Sequence, residues 1–199
     1  MKIINEKDSA AADIAADFLK AGKIISFATD TVYGVAVDAS NEKAVASLYQ
    51  LKNRDQKKPI AIFVKDIASA KKNFSFSKKA EEIAEKFLPG ALTLVLPIRP
   101  ETSLDLASNL NNNHDGFLGF RIVDTDFIKK LFEKFDGILA VTSANLSGEK
   151  EAQNAQEVAK KFLELDLLID GEITSKTPST VAKIIEDKIT ILRQGPIFL

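Results

Sequence analysis

Cysteine is absent from this 199-residue chain. That absence removes disulfides, thiolate nucleophiles, cysteine-ligated zinc and iron–sulfur clusters together. Histidine occurs once, as His114 in the polar run Asn111–Asn112–Asn113–His114–Asp115. A histidine-rich metal site is therefore excluded, and a Ser–His–Asp triad would hang on this one residue, which reads as a solvated loop histidine. No apolar run approaches membrane-spanning length. The first residues, Met1–Lys2–Ile3–Ile4–Asn5, carry no apolar h-region, so the expectation is a cytoplasmic protein with no membrane partner. Charge of one sign is not in excess either. The net charge is −1, so any polyanion site must be a local cluster. Three motifs are also missing: G-x-x-x-x-G-K-[ST], G-x-G-x-x-G and G-x-S-x-G. By motif the chain is not a P-loop NTPase, a standard dinucleotide binder or an α/β-hydrolase. If it handles ATP, it needs another phosphate cradle.

What remains is an ordinary globular composition, 45% hydrophobic and 28% charged. A chain of this length buries a real core without metal or disulfide and fits one domain, residues 1–199. Helix and strand signals alternate. Asp8 or Ser9 is placed to cap a helix running to about Lys20. Strands are expected at 23–27 and 35–37. Asn41 caps a helix whose Val45, Leu48 and Tyr49 share one face, with Pro59 as its limit. A strand at 60–64 follows, then a helix capped by Ser77 and ended by Pro89–Gly90. Residues 92–96 read as a strand, and 99–116 as a long polar loop open to motion. A strand at 117–123 leads to a helix carrying Phe127, Ile128, Leu131 and Phe132. Strands are expected at 138–141, 167–169, 180–184 and 189–192. Asn154 with Glu157 resembles a capping box. The last two strands look like a hairpin, so the sheet is mixed and the class α/β.

Four stretches carry chemistry. Lys52, Arg54, Lys57 and Lys58 form a cationic cluster able to grip phosphate; the same charges equally fit a solvated turn at a negative helix C-terminus. Ser143–Ala144–Asn145–Leu146–Ser147–Gly148 follows a strand, where small polar groups suit ligand binding, though local turn bonding explains it too. Thr29–Asp30–Thr31–Val32–Tyr33–Gly34 also follows a buried strand and offers hydroxyls and one carboxylate for an amino acid's polar groups, or plain turn chemistry. Pro178–Ser179–Thr180–Val181 with Arg193–Gln194–Gly195 reads as a phosphate contact or as a hairpin edge with a surface arginine.

Taken in order, these pieces resemble the YrdC-like family, the threonylcarbamoyl-AMP synthases. The resemblance adds Lys58–Pro59, Pro89–Gly90–Ala91–Leu92–Thr93 and Arg121, and spans about residues 20 to 197. Ala28 stands where the family usually has Pro, Asp55 where Pro is common, Phe63 where some members have His, and Glu172 interrupts a usual Asp–Gly–Gly. The chain resembles the short bacterial form, without the extra C-terminal domain of longer members.

The resemblance implies a twisted mixed open sheet flanked by helices around a concave, positively charged cleft. It implies that threonine, bicarbonate and ATP yield threonylcarbamoyl-AMP and pyrophosphate, with Mg²⁺ accompanying ATP and no protein-bound metal. Lys52 and Arg54 then act on the triphosphate and the developing charge, supported by Lys58. Ser143, Asn145 and Arg193 also hold the nucleotide. Thr31, Arg121 and Ser179 bind threonine, Arg121 through the carboxylate, and Tyr33, Phe63 and Val141 line the cleft. The implied partners are the proteins that transfer the product to tRNA. A double-stranded-RNA or nucleotide-binding paralogue without synthase activity stays open as an alternative, as does direct RNA contact. The carbamoyl-transfer module of hydrogenase maturation normally brings further domains and cysteine-rich zinc segments, which this sequence lacks.

Overall fold

Ten strands form one mixed sheet, and the computed structural model describes residues 1–102, 104–111 and 115–199 of the chain. The expectation for His114 lies outside the described residues. In chain order the first half comprises β1 Lys2–Asn5, α1 Ala11–Lys20, β2 Ile25–Phe27, β3 Gly34–Asp38, α2 Glu42–Leu51, β4 Ala61–Phe63, α3 Ile67–Asn73 and α4 Lys78–Phe87. The second half comprises β5 Leu92–Pro97, β6 Phe117–Arg121, α5 Asp126–Lys134, β7 Leu139–Ser143, α6 Ala155–Lys161, β8 Leu167–Asp170, β9 Thr180–Ile185 and β10 Lys188–Arg193. The spatial order is β1-β8-β2-β3-β7-β4-β6-β5-β9-β10. Parallel pairs (β1–β8, β2–β8, β4–β6, β5–β9) are mixed with antiparallel ones, and β9–β10 is the hairpin the sequence announced.

The two faces of the sheet are treated differently, and this makes the cleft. Alternate strand residues point to opposite faces. On one face Val35, Ile62, Leu94, Phe120 and Ala182 pack under α2, α3, α4 and α6. On the other, α1 and α5 pack over Ile25, Phe27, Ala36, Leu139 and Leu167. They cover β8, β2, β3 and β7. Among the described residues, the rest of that face, from β4 across β6 and β5 to β10, carries no helix.

Helix starts follow the caps. Asn41, Ser77 and Asn154 each accept the backbone N–H three residues on, at 3.0, 3.3 and 2.9 Å, which satisfies donors that a helix leaves orphaned. The expected capping box closes one residue early, because Glu157 accepts from the Gln153 N–H rather than from that of Asn154. Asp8 and Ser9 do not cap α1. Asp8 accepts the Ala10 N–H at 2.9 Å in a turn before the helix, and α1 starts on an uncapped Ala10. Pro59 does not limit α2, which ends at Leu51; the chain leaves the helix through Asn53, at φ +47°, a left-handed conformation asparagine tolerates better than most residues. Strand β1 and helix α3 have no sequence signal, since only Ile4 is buried in the one, and Ala70 and Asn73 in the other. The described part of the 99–116 loop is anchored: Ala107 N–H donates to Ala39 at 2.8 Å and Leu110 is buried.

Candidate active site

A cavity of about 420 Å³ opens on the uncovered face, within the range of small-molecule sites. Its floor is a set of alternating strand positions: Val141 on β7, Ala61 and Phe63 on β4, Gly119 and Arg121 on β6, Val95 on β5. Cross-strand register makes them neighbours, with Val141 opposite Ala61, Phe63 opposite Arg121 and Gly119 opposite Val95. The room comes from small side chains. A Cβ on Gly119 would lie 3.4 Å from the Ala61 methyl, and anything longer would rise into the cavity.

Cations reach this hollow from four separate stretches: Arg54, Arg121, Lys183 and Arg193. Arg54 is held from below, its Nε donating to the Lys58 carbonyl at 3.2 Å and its Nη2 to the Pro59 carbonyl at 2.9 Å. The Lys58 ammonium is exposed and does not line the cavity, while the Lys58 carbonyl accepts from Arg54. Arg193 owes its direction to a β-bulge. Ile191 opposes Ala182, but Arg193 opposes Val181, so Leu192 is an extra residue. In a regular strand Arg193 would point to the same face as Ile189 and Ile191; the bulge turns its side chain into the cavity. There Arg193 donates to the Ser179 carbonyl at 3.0 Å and to Ser179 Oγ at 3.1 Å. Gly195 keeps the segment close, because a Cβ there would sit 2.3 Å from the Pro178 carbonyl oxygen. Burial lowers the pKa values of Arg54 and Arg193; at Arg193 Glu151 opposes the shift, and repulsion from Arg121 and Arg54 adds to it.

Ser143 lines the wall, but Lys52 and Asn145 stand behind it. Lys52 is 1% exposed. Its Nζ donates to the Ser143 carbonyl and, at 3.2 Å, to Asn145 Oδ1. Asn145 Oδ1 also accepts from Ser143 Oγ at 2.6 Å, and its amide nitrogen donates to Leu146 and Glu149 carbonyls, both at 2.9 Å. In this structure Lys52 and Asn145, both expected to hold a nucleotide, frame the Ser143 turn. Burial, then repulsion from Arg54, lowers the Lys52 pKa to about 7, against a weaker opposing pull from Glu151.

The other wall is built of hydroxyls. Thr31 is fully buried, with Oγ1 3.0 Å from Thr29 Oγ1, and accepts from Arg121 Nη1 at 2.9 Å. Ser179 Oγ lies 2.9 Å from Thr93 Oγ1. Arg121 was expected to pair a ligand carboxylate; in this structure its ionic partner is Asp30, Nη2 to Oδ1 at 2.6 Å, and its Nε donates to the Gly90 carbonyl at 2.9 Å. A guanidinium this buried requires a counter-charge. Two of its five N–H groups remain for a ligand. Tyr33 lines the cavity, yet its hydroxyl donates to the Gly171 carbonyl at 2.6 Å, and burial pushes its pKa up to about 12. Phe63 presents its ring 5.9 Å from the Arg121 guanidinium carbon.

Residues 17–195 match the profile of the family described as telomere recombination, Sua5/YciO/YrdC. The chain belongs to the Sua5/YciO/YrdC family. A Methanocaldococcus jannaschii protein with a provisional threonylcarbamoyl-AMP synthase name is 37% identical over 178 residues, covering 88% of this chain and 81% of its own. The human threonylcarbamoyl-AMP synthase is 35% identical over 153 residues, covering 77% of this chain and 53% of its own. The crystal structure of Pyrococcus abyssi Sua5 complexed with L-threonine superposes with a TM-score of 0.86 at 29% identity, covering 98% of this chain and 58% of that one. This chain thus spans little more than half the length of the human and P. abyssi relatives.

Within this Sua5/YciO/YrdC fold, the motif pieces Arg54, Ser143, Ser179 and Arg193 converge on one hollow, as do Thr31, Arg121, Tyr33, Phe63 and Val141. Sequence reasoning missed Lys183, Asp115 and Phe117, which line the same cavity. For Lys183 a signal existed: it lies two and four residues after Val181 and Ser179, and a period of two puts all three on one face. Among the described residues no helix is long and apolar enough to cross a membrane.

Proposed function

We propose that this chain is an L-threonylcarbamoyladenylate synthase, a nucleotidyltransferase that makes threonylcarbamoyl-AMP and pyrophosphate from threonine, bicarbonate and ATP. One observation carries the reading: Arg54, Ser143 and Arg193, from three distant stretches, line the same hollow as the hydroxyl wall of Thr31, Thr93 and Ser179. The similarity to named threonylcarbamoyl-AMP synthases and to a threonine-bound Sua5 supports it.

In this reading the threonine amine and bicarbonate form a carbamate with loss of water. A carbamate oxygen then attacks the α-phosphorus of ATP, and pyrophosphate leaves. ATP enters as its Mg²⁺ complex, the ion held by phosphate oxygens. Arg54 and Arg193 neutralise charge that grows on the transferring and leaving groups. Thr31 and Ser179 seat the amino acid, and the free N–H groups of Arg121 take its carboxylate. Lys52 and Asn145 hold the Ser143 turn, so that its groups are already aimed when the nucleotide arrives. The chemistry needs positioning and charge neutralisation, and no covalent nucleophile. Downstream, the mixed anhydride is the donor for proteins that place threonylcarbamoyl on tRNA adenosine.

The test is to incubate the protein with ATP, Mg²⁺ and bicarbonate plus each amino acid in turn, and to follow pyrophosphate. Release with threonine far above all others supports the assignment. Release that ignores the amino acid, or none, overturns it.

A further inference from the structure

Tyr49 reads from the sequence as a core residue of α2, and its ring is buried in one cluster with Val45 and Leu48. Its polar atoms have a different use. The Tyr49 carbonyl accepts the Arg54 N–H at 3.0 Å. The Tyr49 hydroxyl faces two carbonyls, those of Lys58 and Leu110, each at 3.1 Å. The Lys58 carbonyl is also the acceptor for Arg54 Nε, at 3.2 Å. A carbonyl oxygen has two lone pairs, so one atom joins the phenol to the guanidinium. Residues 55–59 are exposed, so water competes for the Lys58 carbonyl from outside while the phenol reaches it from the core. Burial raises the Tyr49 pKa, against an opposing pull from the Arg54 charge. The hydroxyl therefore keeps the proton it donates.

We infer that Tyr49 is a positioning residue for Arg54: its hydroxyl fixes the Lys58 carbonyl, and that carbonyl fixes the guanidinium facing the cavity. The placement of Arg54 is a property of the chain alone; its consequence for MgATP rests on the proposed synthase reading. The second anchor of Arg54, the Pro59 carbonyl at 2.9 Å from Nη2, belongs to the next residue of the same turn. Both anchors therefore move if the turn moves. The arm of the hydroxyl to Leu110 pins this turn to a stretch 61 residues beyond Tyr49, so the phenol ties α2, the 55–59 turn and the segment before β6 at one point. Phenylalanine at this position keeps the ring and its packing. It strands neither carbonyl, because the Ile60 N–H still donates to Leu110 at 3.5 Å and Arg54 Nε to Lys58. What Tyr49→Phe loses is the hold on the turn, not a core contact.

Two measurements on wild type and Tyr49→Phe test this. Exchange of the Arg54 Nε proton with water, followed by nitrogen-15 NMR on the ligand-free protein, reports the anchoring directly; Arg54→Ala assigns the signal by its loss. Calorimetry with MgATP and, separately, with threonine reports the consequence. Tyr49→Phe should speed the exchange about 10-fold and weaken MgATP by about 5- to 10-fold, with threonine affinity within about 2-fold of wild type. An exchange rate or a MgATP affinity equal to wild type overturns the inference. MgATP and threonine affinities that fall together overturn it too, because that is a general loosening of the cavity. A Tyr49→Phe protein that no longer folds makes the hydroxyl a stability group and also sinks it. Faster exchange in the variant, beside a wild type that binds neither MgATP nor inorganic triphosphate, upholds the positioning and overturns the synthase reading beneath it.

Discussion

Lys52 Nζ donates to Asn145 Oδ1 at 3.2 Å and to the Ser143 carbonyl, joining positions 93 and 91 residues apart in the chain. No carboxylate among the described residues pairs with this ammonium, and Lys52 is 1% exposed. The fold therefore carries a buried cation whose partners are all neutral. Its pKa of about 7 lies below the ordinary 10.5.

That shift has a sign. Below pH 7 both folded and unfolded chains hold the proton, and the burial penalty is fully present. Between about 7 and 10.5 the unfolded chain keeps a proton that the folded chain has shed, so folding strengthens as pH rises through this window. Lys52→Met removes the titrating group. Urea unfolding of both proteins at several pH values from 6.5 to 10 should show wild type gaining stability over Lys52→Met as pH rises. A difference that stays flat contradicts the buried, depressed lysine.

Arg54 is anchored by two main-chain carbonyls and lines the cavity. Losing one preorganised charge contact in the transition state costs about 2.7–4 kcal/mol, on the order of 100- to 1,000-fold in rate. Arg54→Ala should lose pyrophosphate release to that extent while its thermal unfolding stays near wild type. A folded variant with normal turnover removes Arg54 from the mechanism.

The cavity exists because its floor is small. Gly119→Ala adds a Cβ at ordinary contact distances of 3.4–3.6 Å and should be tolerated. Gly119→Leu should fill the hollow. Its expected outcome is a protein at least as stable, since glycine weakens a strand, with ATP affinity lost in calorimetry. Retained affinity in the leucine variant places the nucleotide elsewhere.

How much of this was legible from the residues alone divides along physical lines. Sheet class, the Asn41, Ser77 and Asn154 caps and the convergence of Arg54, Ser143 and Arg193 rest on local periodicity and motif order, which a sequence displays. The burial of Lys52 was not legible, because a lysine in a cationic run carries no mark of burial; only its packing behind β7 decides that. Arg121 was legible as a site residue, but its pairing with Asp30 depends on a contact spanning 91 positions. The bulge at Leu192 is a register event between two strands, invisible in either strand alone.

Gly195 packs against the backbone of residues 178–180, where a Cβ would lie 2.3–2.6 Å from main-chain atoms. Gly195→Ala must push the two segments apart, at a cost of about 1–3 kcal/mol, and it should loosen the Arg193–Ser179 contacts. Chemical denaturation measures the first effect and the KM for threonine the second. A variant unchanged in both means the close approach does not hold the site.

The central claim is that one hollow receives a nucleotide's phosphates and an amino acid side by side. A crystal structure of the protein with threonine and a non-hydrolysable MgATP analogue tests it most directly. The account predicts phosphate oxygens within hydrogen-bonding distance of Arg54, Ser143 and Arg193 together, with the amino acid against Thr31 and Ser179. Phosphates bound on a different face, or threonine outside this cavity, would contradict it.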